Sequence, residues 1–203
     1  MEIKVLPLGD IQVNCYLIST ENAALVIDPG FYSNSIEEFL KENSEKKRLI
    51  LLTHSHFDHS GAAEKLRNNT GVKIAIGEKE NEFLSNPSIN LSSLFGMPQN
   101  PFSADFLLKD EEIISVGDID IKVIHTPGHT SGSVSYLIKN VLFSGDTLFN
   151  CSIGRTDFPT GDFGVLSASV KKLYMLDEDI TVLSGHGEAT SIAYEKSHNP
   201  FIR

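Results

Sequence analysis

The sequence predicts an α/β fold in which sheets carry their helices on the outside, arranged in two comparable halves. Three observations predict it. Short apolar runs bounded by turn residues recur along all 203 residues, single stretches of helical spacing separate them, and no low-complexity linker divides the chain.

The first half opens with strands near Lys4–Leu6, Cys15–Ser19 and Ala24–Ile27. A helix follows over about Ser35–Asn43, where Ile36, Phe39 and Leu40 lie among charged residues, and the basic run Lys46-Lys47-Arg48 closes its solvated end. Arg48–Leu52 (RLILL) reads as a buried strand, Gly61–Asn69 as a helix and Lys73–Ile76 as a strand. The second half places strands at Ile119–Ile124, Ser133–Ile138, Val141–Ser144 and Thr181–Leu183. Its helix, Phe163–Leu176, repeats Phe163, Leu166, Val170, Leu173 and Tyr174 at helical spacing, which marks a core face. A short helix over Thr190–Lys196 ends the pattern. Between the halves, Glu82–Phe106 is irregular: Pro87, Pro98 and Pro101 interrupt an apolar set that includes Phe83, Leu91, Phe95, Met97 and Phe102. Such a segment either fills the core or walls a substrate cleft.

Composition narrows the function. The formal charge of −10, from 27 acidic and 17 basic residues, leaves no basic face for a polyanion, so nucleic acid is excluded as a partner. Cys15 and Cys151 form no CxxC pair and suit a reducing, cytoplasmic setting. The N-terminus has no basic leader, and no apolar window reaches the length of a membrane span. No feature points to a particular oligomeric state.

The chemistry is concentrated in Thr53-His54-Ser55-His56-Phe57-Asp58-His59, four candidate metal ligands just after the buried strand Arg48–Leu52. In extended backbone, side chains two apart share a face, so His54 and His56 are read as converging on one point, with Asp58 next in the same alternation. Further turns repeat the pattern of an apolar strand running into Gly beside His or Asp: His125-Thr126-Pro127-Gly128-His129, Ser144-Gly145-Asp146-Thr147 and Ser184-Gly185-His186-Gly187. Glycine permits the unusual backbone angles and close approach that a site built from loop ends requires.

Together with Val26-Ile27-Asp28-Pro29-Gly30, these turns follow the ordered motif set of the metallo-beta-lactamase fold superfamily. The chain resembles a short glyoxalase II-like protein of the hydroxyacylglutathione hydrolase family. The stretches that carry the resemblance are NCYLI, THSHFDHSGA, TPGHTSGS, LFSGDTLF, SIGRTDFPTGD and GHGEATSIAYEKSHNPF. It implies a four-layer αββα sandwich formed by residues 1–203 as a single domain, with no C-terminal helical glutathione-binding domain. It also implies two divalent ions, zinc first, with iron and manganese suiting the same donors. One ion would be held by His54, His56 and His129, the other by Asp58, His59 and His186, with Asp146 bridging. Asp58 would also orient the nucleophile. Asp28 has no place in that ligand set and reads as a supporting or turn residue, and His125 and His198 match no ligand position. The implied reaction is hydrolysis of a small-molecule thioester such as hydroxyacylglutathione.

The resemblance departs from full-length glyoxalase II where that enzyme carries Lys and Tyr for glutathione contact, since this chain reads Gly154-Arg155-Thr156-Asp157-Phe158. Arg155 either grips a substrate carboxylate through two parallel hydrogen bonds or pairs with Asp157 or Asp162. Persulfide dioxygenases, which use one iron, resemble the chain in fold and motif and are the main alternative. A non-catalytic module stabilised by metal is the second, although structural zinc sites are usually closed and cysteine-rich. A beta-lactamase is disfavoured by the lack of a secretory signal, a flavodiiron oxidoreductase by His56 where such proteins carry Glu, and an RNA-processing nuclease by the acidic balance.

Overall fold

The computed structural model describes residues 1–202. Strands β1 (Glu2–Leu8), β2 (Val13–Ser19), β3 (Ala23–Ile27), β4 (Lys47–Leu52), β5 (Lys73–Gly77) and β6 (Phe106–Leu108) form one sheet in sequence order. It is antiparallel from β1 to β3 and parallel from β3 to β6. The second sheet contains β7 (Ile113–Val116), β8 (Ile119–His125), β9 (Val134–Ile138), β10 (Val141–Gly145), β13 (Thr181–Ser184) and β14 (Thr190–Ser191), in the order β14-β13-β10-β9-β8-β7. A separate hairpin pairs β11 (Leu148–Phe149) with β12 (Ser152–Ile153). The helices are α1 (Asn34–Glu42), α2 (Phe57–Ser60), α3 (Ala63–Thr70), α4 (Phe163–Leu173) and α5 (Ile192–His198).

Alternation along the strands builds the four layers. In β2, Cys15 and Leu17 face a core shared with Ile36, Leu40 and Leu66 of the first helices, whereas Tyr16 and Ile18 face the second sheet. β4 repeats this, with Ile50 and Leu52 toward the helices and Leu49 and Leu51 toward the second sheet. In β10, Phe143 enters the core between the sheets and Leu142 meets Val170, Leu173 and Ile192 of α4 and α5. The result is the αββα sandwich that the family resemblance implies. Phe143 is 1% exposed and meets the Tyr16 ring edge-on at 5.2 Å. Phe143→Ala should therefore cost about 3–5 kcal/mol of stability, read as a lower urea midpoint at unchanged slope.

Caps explain where the helices begin. The Ser33 side chain accepts from the Ser35 N–H before α1, and Asp162 accepts from Val165 N before α4. The expected elements are present with shifted ends, and three readings need correction. α4 stops at Leu173, and Phe163 is 54% exposed, because it directly follows the cap and points away from the stripe of Leu166, Val170 and Leu173. The segment 82–106 divides its roles: Leu84, Leu91 and Phe102 are buried, while Leu94, Phe95 and Met97 are exposed. Strands β6 and β7, the hairpin and α2 had no clear sequence signal, since each is four residues or shorter. Among the described residues, no helix is long and apolar enough to cross a membrane.

Candidate metal centre

Four strand ends deliver the candidate ligands. His54 and His56 follow β4, His129 follows β8, Asp146 follows β10 and His186 follows β13. Because β4 belongs to one sheet and the rest to the other, the site depends on cross-sheet ties. Tyr136 of β9 donates its hydroxyl to Leu52 O at the end of β4 (2.7 Å), and Tyr16 of β2 donates to Ser184 O at the end of β13 (2.6 Å). Asn14 Nδ2 donates to Ser184 O and Gly187 O, clasping the His186 turn. Gly30 allows close approach at the base of the site: a Cβ there would overlap the Asp58 carbonyl oxygen.

The expected residues meet in two joined groups. His56 Nδ1 lies 3.0 Å from both His54 Nε2 and His129 Nε2. Asp58 Oδ2 lies 3.3 Å from His186 Nε2 and 3.7 Å from His59 Nε2. Asp146 spans the groups, with Oδ1 3.3 Å from His59 Nε2 and Oδ2 3.5 Å from His129 Nε2 and 3.8 Å from His186 Nε2. Three sets, His54/His56/His129, His54/His59/Asp146 and Asp58/His59/His186, each bring their donor atoms within 4.8 Å of one another. The alternation of extended backbone holds for His54 and His56 but ends there. Asp58 and His59 sit on the single turn of α2, which rotates Asp58 away from the first group and toward His186.

This arrangement fits a pair of cations. One ring proton on His56 Nδ1 cannot satisfy two imidazoles 3.0 Å away, whereas a cation takes lone pairs from all three rings. The outward nitrogens settle which lone pairs point in. His129 Nδ1 donates to Arg155 O (2.7 Å), His59 Nδ1 to Asp28 Oδ2 (2.9 Å), His186 Nδ1 to Ile11 O (3.2 Å), and His54 Nδ1 faces Thr53 Oγ1 (3.1 Å). Each partner leaves Nε2 free to face the centre. His59 Nε2 and Asp146 Oδ1 are buried without a hydrogen-bond partner, as expected of atoms that await a metal.

Electrostatics agree. Burial, and then the neighbouring imidazoles, push the His54 pKa down, and burial with His129 takes His56 to about 3, so both rings stay neutral. Burial also opposes charge on His59, but Asp146, Asp58 and Asp28 outweigh it and raise that pKa. Burial resists ionisation of Asp146 and Asp58 as well, yet His59 and the other imidazoles outweigh it and hold both carboxyls below their usual range. The ionised carboxylates and His186, the most exposed of the candidate ligand histidines (28%), mark the solvent-facing mouth.

Asp28 has the supporting role read for it. It holds φ 51, accepts from Thr53 N (2.8 Å) and Thr53 Oγ1 (2.7 Å), and orients His59. Arg155 forms the ion pair rather than a vacant clamp: Nε and Nη2 each donate to Asp157 at 2.7 Å, while Asp162 caps α4. His125 and His198 lie outside the ligand sets; His125 Nε2 faces Ser131 O, and His198 stacks on Tyr194. Glu80 went unread in the sequence. It is fully buried, accepts Ser55 N–H at Oε2 (2.8 Å), and accepts Thr130 Oγ1–H (2.7 Å) and Gly132 N–H (3.0 Å) at Oε1. It ties the loop of His54 and His56 to the loop of His129. Within Glu78-Lys79-Glu80-Asn81-Glu82 nothing distinguishes it from the exposed acids on either side.

Comparison with known proteins agrees with this geometry. The family model of the metallo-beta-lactamase superfamily matches residues 8–186. The hydroxyacylglutathione hydrolase GloC of Haemophilus influenzae is 38% identical over 208 residues, an alignment covering 100% of this chain and 98% of the relative. The crystal structure of the BLEG-1 B3 metallo-beta-lactamase superposes with a TM-score of 0.91 at 42% identity and covers 99% of each chain. TTHA1623, solved in a di-iron-bound form, superposes with a TM-score of 0.86 at 31% identity, covering 98% of this chain and 100% of its own.

Proposed function

Since this chain belongs to the metallo-beta-lactamase superfamily, we propose that it is a hydrolase of small-molecule thioesters, with hydroxyacylglutathione as the model substrate. The observation that carries the reading is Asp146, whose carboxylate lies between the two ligand groups, with Oδ1 beside His59 and Oδ2 beside both His129 and His186. In this reading His54, His56 and His129 hold one divalent ion, Asp58, His59 and His186 hold the other, and Asp146 reaches both. Zinc is the first choice, while the di-iron form of TTHA1623 supports iron. When bound, such ions polarise a carbonyl and supply hydroxide near neutral pH.

The residues of the chain provide the rest. Asp58, ionised and at the mouth, would accept a hydrogen bond from an O–H of the attacking water and fix its direction. Asp28 and Arg155 O hold the His59 and His129 rings against rotation. Buried walls exclude bulk water on the side of His54 and His56, which are 0% and 2% exposed. Water then adds its oxygen to the acyl carbon, the C–S bond breaks, and the thiol leaves with a proton.

The similarity to BLEG-1 favours a second reading, opening of a β-lactam amide by the same attack. One experiment separates the readings: metal analysis with parallel assays on lactoylglutathione, a penicillin and glutathione persulfide. Lactoylglutathione turnover with two bound ions supports the proposal. Lactam turnover alone supports the second reading, and oxygen uptake on the persulfide with one iron overturns both. Removing metal with a chelator should abolish hydrolysis, lower the melting temperature, and be reversed by zinc, iron or manganese. Undiminished turnover by metal-free protein would falsify the ligand assignment.

A further inference from the structure

An aromatic wall leads from the candidate centre to the surface. The Phe158 ring lies 6.0 Å from His56, edge-on, and Phe95 lies 6.2 Å from Phe158 and 5.3 Å from Phe57. Phe57 is 6% exposed and anchors the row on α2, whereas Phe95 is 50% exposed, beside Leu94 at 66% and Met97 at 44%. Three large apolar side chains within four residues form a patch that a soluble surface usually avoids unless it contacts something. The backbone holds them in place: Leu91 and Gly96 adopt φ 65 and 64, and Phe95 N–H donates to Leu91 O (3.1 Å). The Arg155 guanidinium sits over the Phe158 ring at 3.8 Å from its centroid. Its Nε and Nη2 donate to Asp157, an exposed pair that holds the guanidinium over the ring. Among the described residues, this is the one cation–aromatic contact on the wall.

We propose that Phe158 and Phe95 select the substrate, and that the preferred thioesters carry an aryl group within two or three bonds of the scissile carbonyl. This rests on the hydrolase reading above. Phe158 is one ring's breadth from His56, so a group packed against it is attached almost directly to the reacting carbon. Aromatic groups gain beyond simple burial when they meet a ring edge-on or offset, and the wall presents such surfaces in succession.

The test uses the full-length, metal-loaded enzyme and three thioesters. They are S-phenylacetyl-N-acetylcysteamine, with the aryl group on the acyl side, S-acetyl-N-acetylcysteamine, with none, and S-benzyl thioacetate, with the aryl group on the thiol side. The expected kcat/KM ratio of an aryl ester to the plain ester is about ten to a hundred, corresponding to aromatic contact plus burial. Whichever aryl ester is favoured identifies the arm that lies on the wall. In the Phe95→Ala/Phe158→Ala double variant that ratio should fall toward one. A second readout needs no turnover: phenylacetamide titrated into labelled protein should shift amide resonances of residues 92–98 and 155–160, and the double variant should lose those shifts. Hydrolysis of all three esters at equal efficiency, or a ratio unchanged in the double variant, overturns the proposal while leaving the hydrolase reading intact. Hydrolysis of none of them, nor of lactoylglutathione assayed in parallel, with the amide shifts present, overturns the hydrolase reading and leaves the wall as an aryl-binding surface.

Discussion

Asp146→Ala should lower kcat/KM for thioester hydrolysis by about a thousandfold or more and reduce the bound metal from two ions to one or fewer. The carboxylate is the one group that faces both ligand sets, 3.3 Å from His59 Nε2 and 3.5 Å from His129 Nε2. Removing it leaves five histidines and Asp58, a single carboxylate, to hold and neutralise two dications. Several kcal/mol of stabilisation for the charge that develops on the carbonyl oxygen would be lost, and every 1.36 kcal/mol is a factor of ten. The backbone around it is shaped for the carboxylate: a Cβ on Gly185 would overlap Asp146 Oδ1, and one on Gly154 would overlap Asp146 O. Asp146→Asn preserves that shape without the charge, and should retain more of the fold's stability than Ala while binding metal more weakly than the parent. Metal analysis after dialysis, kcat/KM and thermal denaturation, measured together, separate loss of ligand from loss of fold. Two ions and full turnover in Asp146→Ala would remove Asp146 from the centre.

The comparison of sequence with structure shows which signals are local. His54 and His56 were legible as a dense cluster at the end of an apolar strand, whereas the turns of His129, Asp146 and His186 were each a weak signal that became a ligand set only through the family resemblance. Asp28 was read as a supporting or turn residue because the ligand set implied by the family resemblance has no place for it, and its bond to His59 gives it that role. The orientation of Asp58 could not be read from alternation. Once Phe57 starts a helical turn, the two-residue period gives way to one of 3.6, and the side chain swings toward His186. β6 and β7 were missed for another reason: Phe106–Leu108 and Ile113–Val116 are strands because β5 and β8 pair with them, a tertiary cause that a three- or four-residue window does not contain. Arg155 illustrates a further limit. Its sequence position allowed a carboxylate clamp or an ion pair, and Asp157 two residues away captures it.

Glu80 is the hardest residue to read and the one whose replacement should most disturb the site from outside it. A carboxylate with 0% exposure survives in an apolar setting by accepting three hydrogen bonds, and burial still raises its pKa against their pull. The bonds join Ser55, between His54 and His56, to Thr130 and Gly132, on either side of the turn beyond His129. Glu80→Gln can keep Thr130 and Gly132 on its amide oxygen, but it then turns an NH2 group toward the Ser55 N–H, so two donors face each other. That exchange should cost about 1.5–3 kcal/mol, and Glu80→Ala, which leaves the buried Ser55 and Gly132 N–H groups without their acceptor, should cost more. Because the lost ties set the spacing of His54, His56 and His129, metal affinity should fall about ten- to a hundredfold in the Gln variant, as when outer partners of metal ligands are removed. Glu82→Gln, on the exposed acid two residues further along, should change stability by no more than about 0.5 kcal/mol and leave metal affinity alone. Urea unfolding and metal titration of the two variants side by side check this. Equal metal affinity in Glu80→Gln and the parent would mean that the loops hold their spacing without the brace.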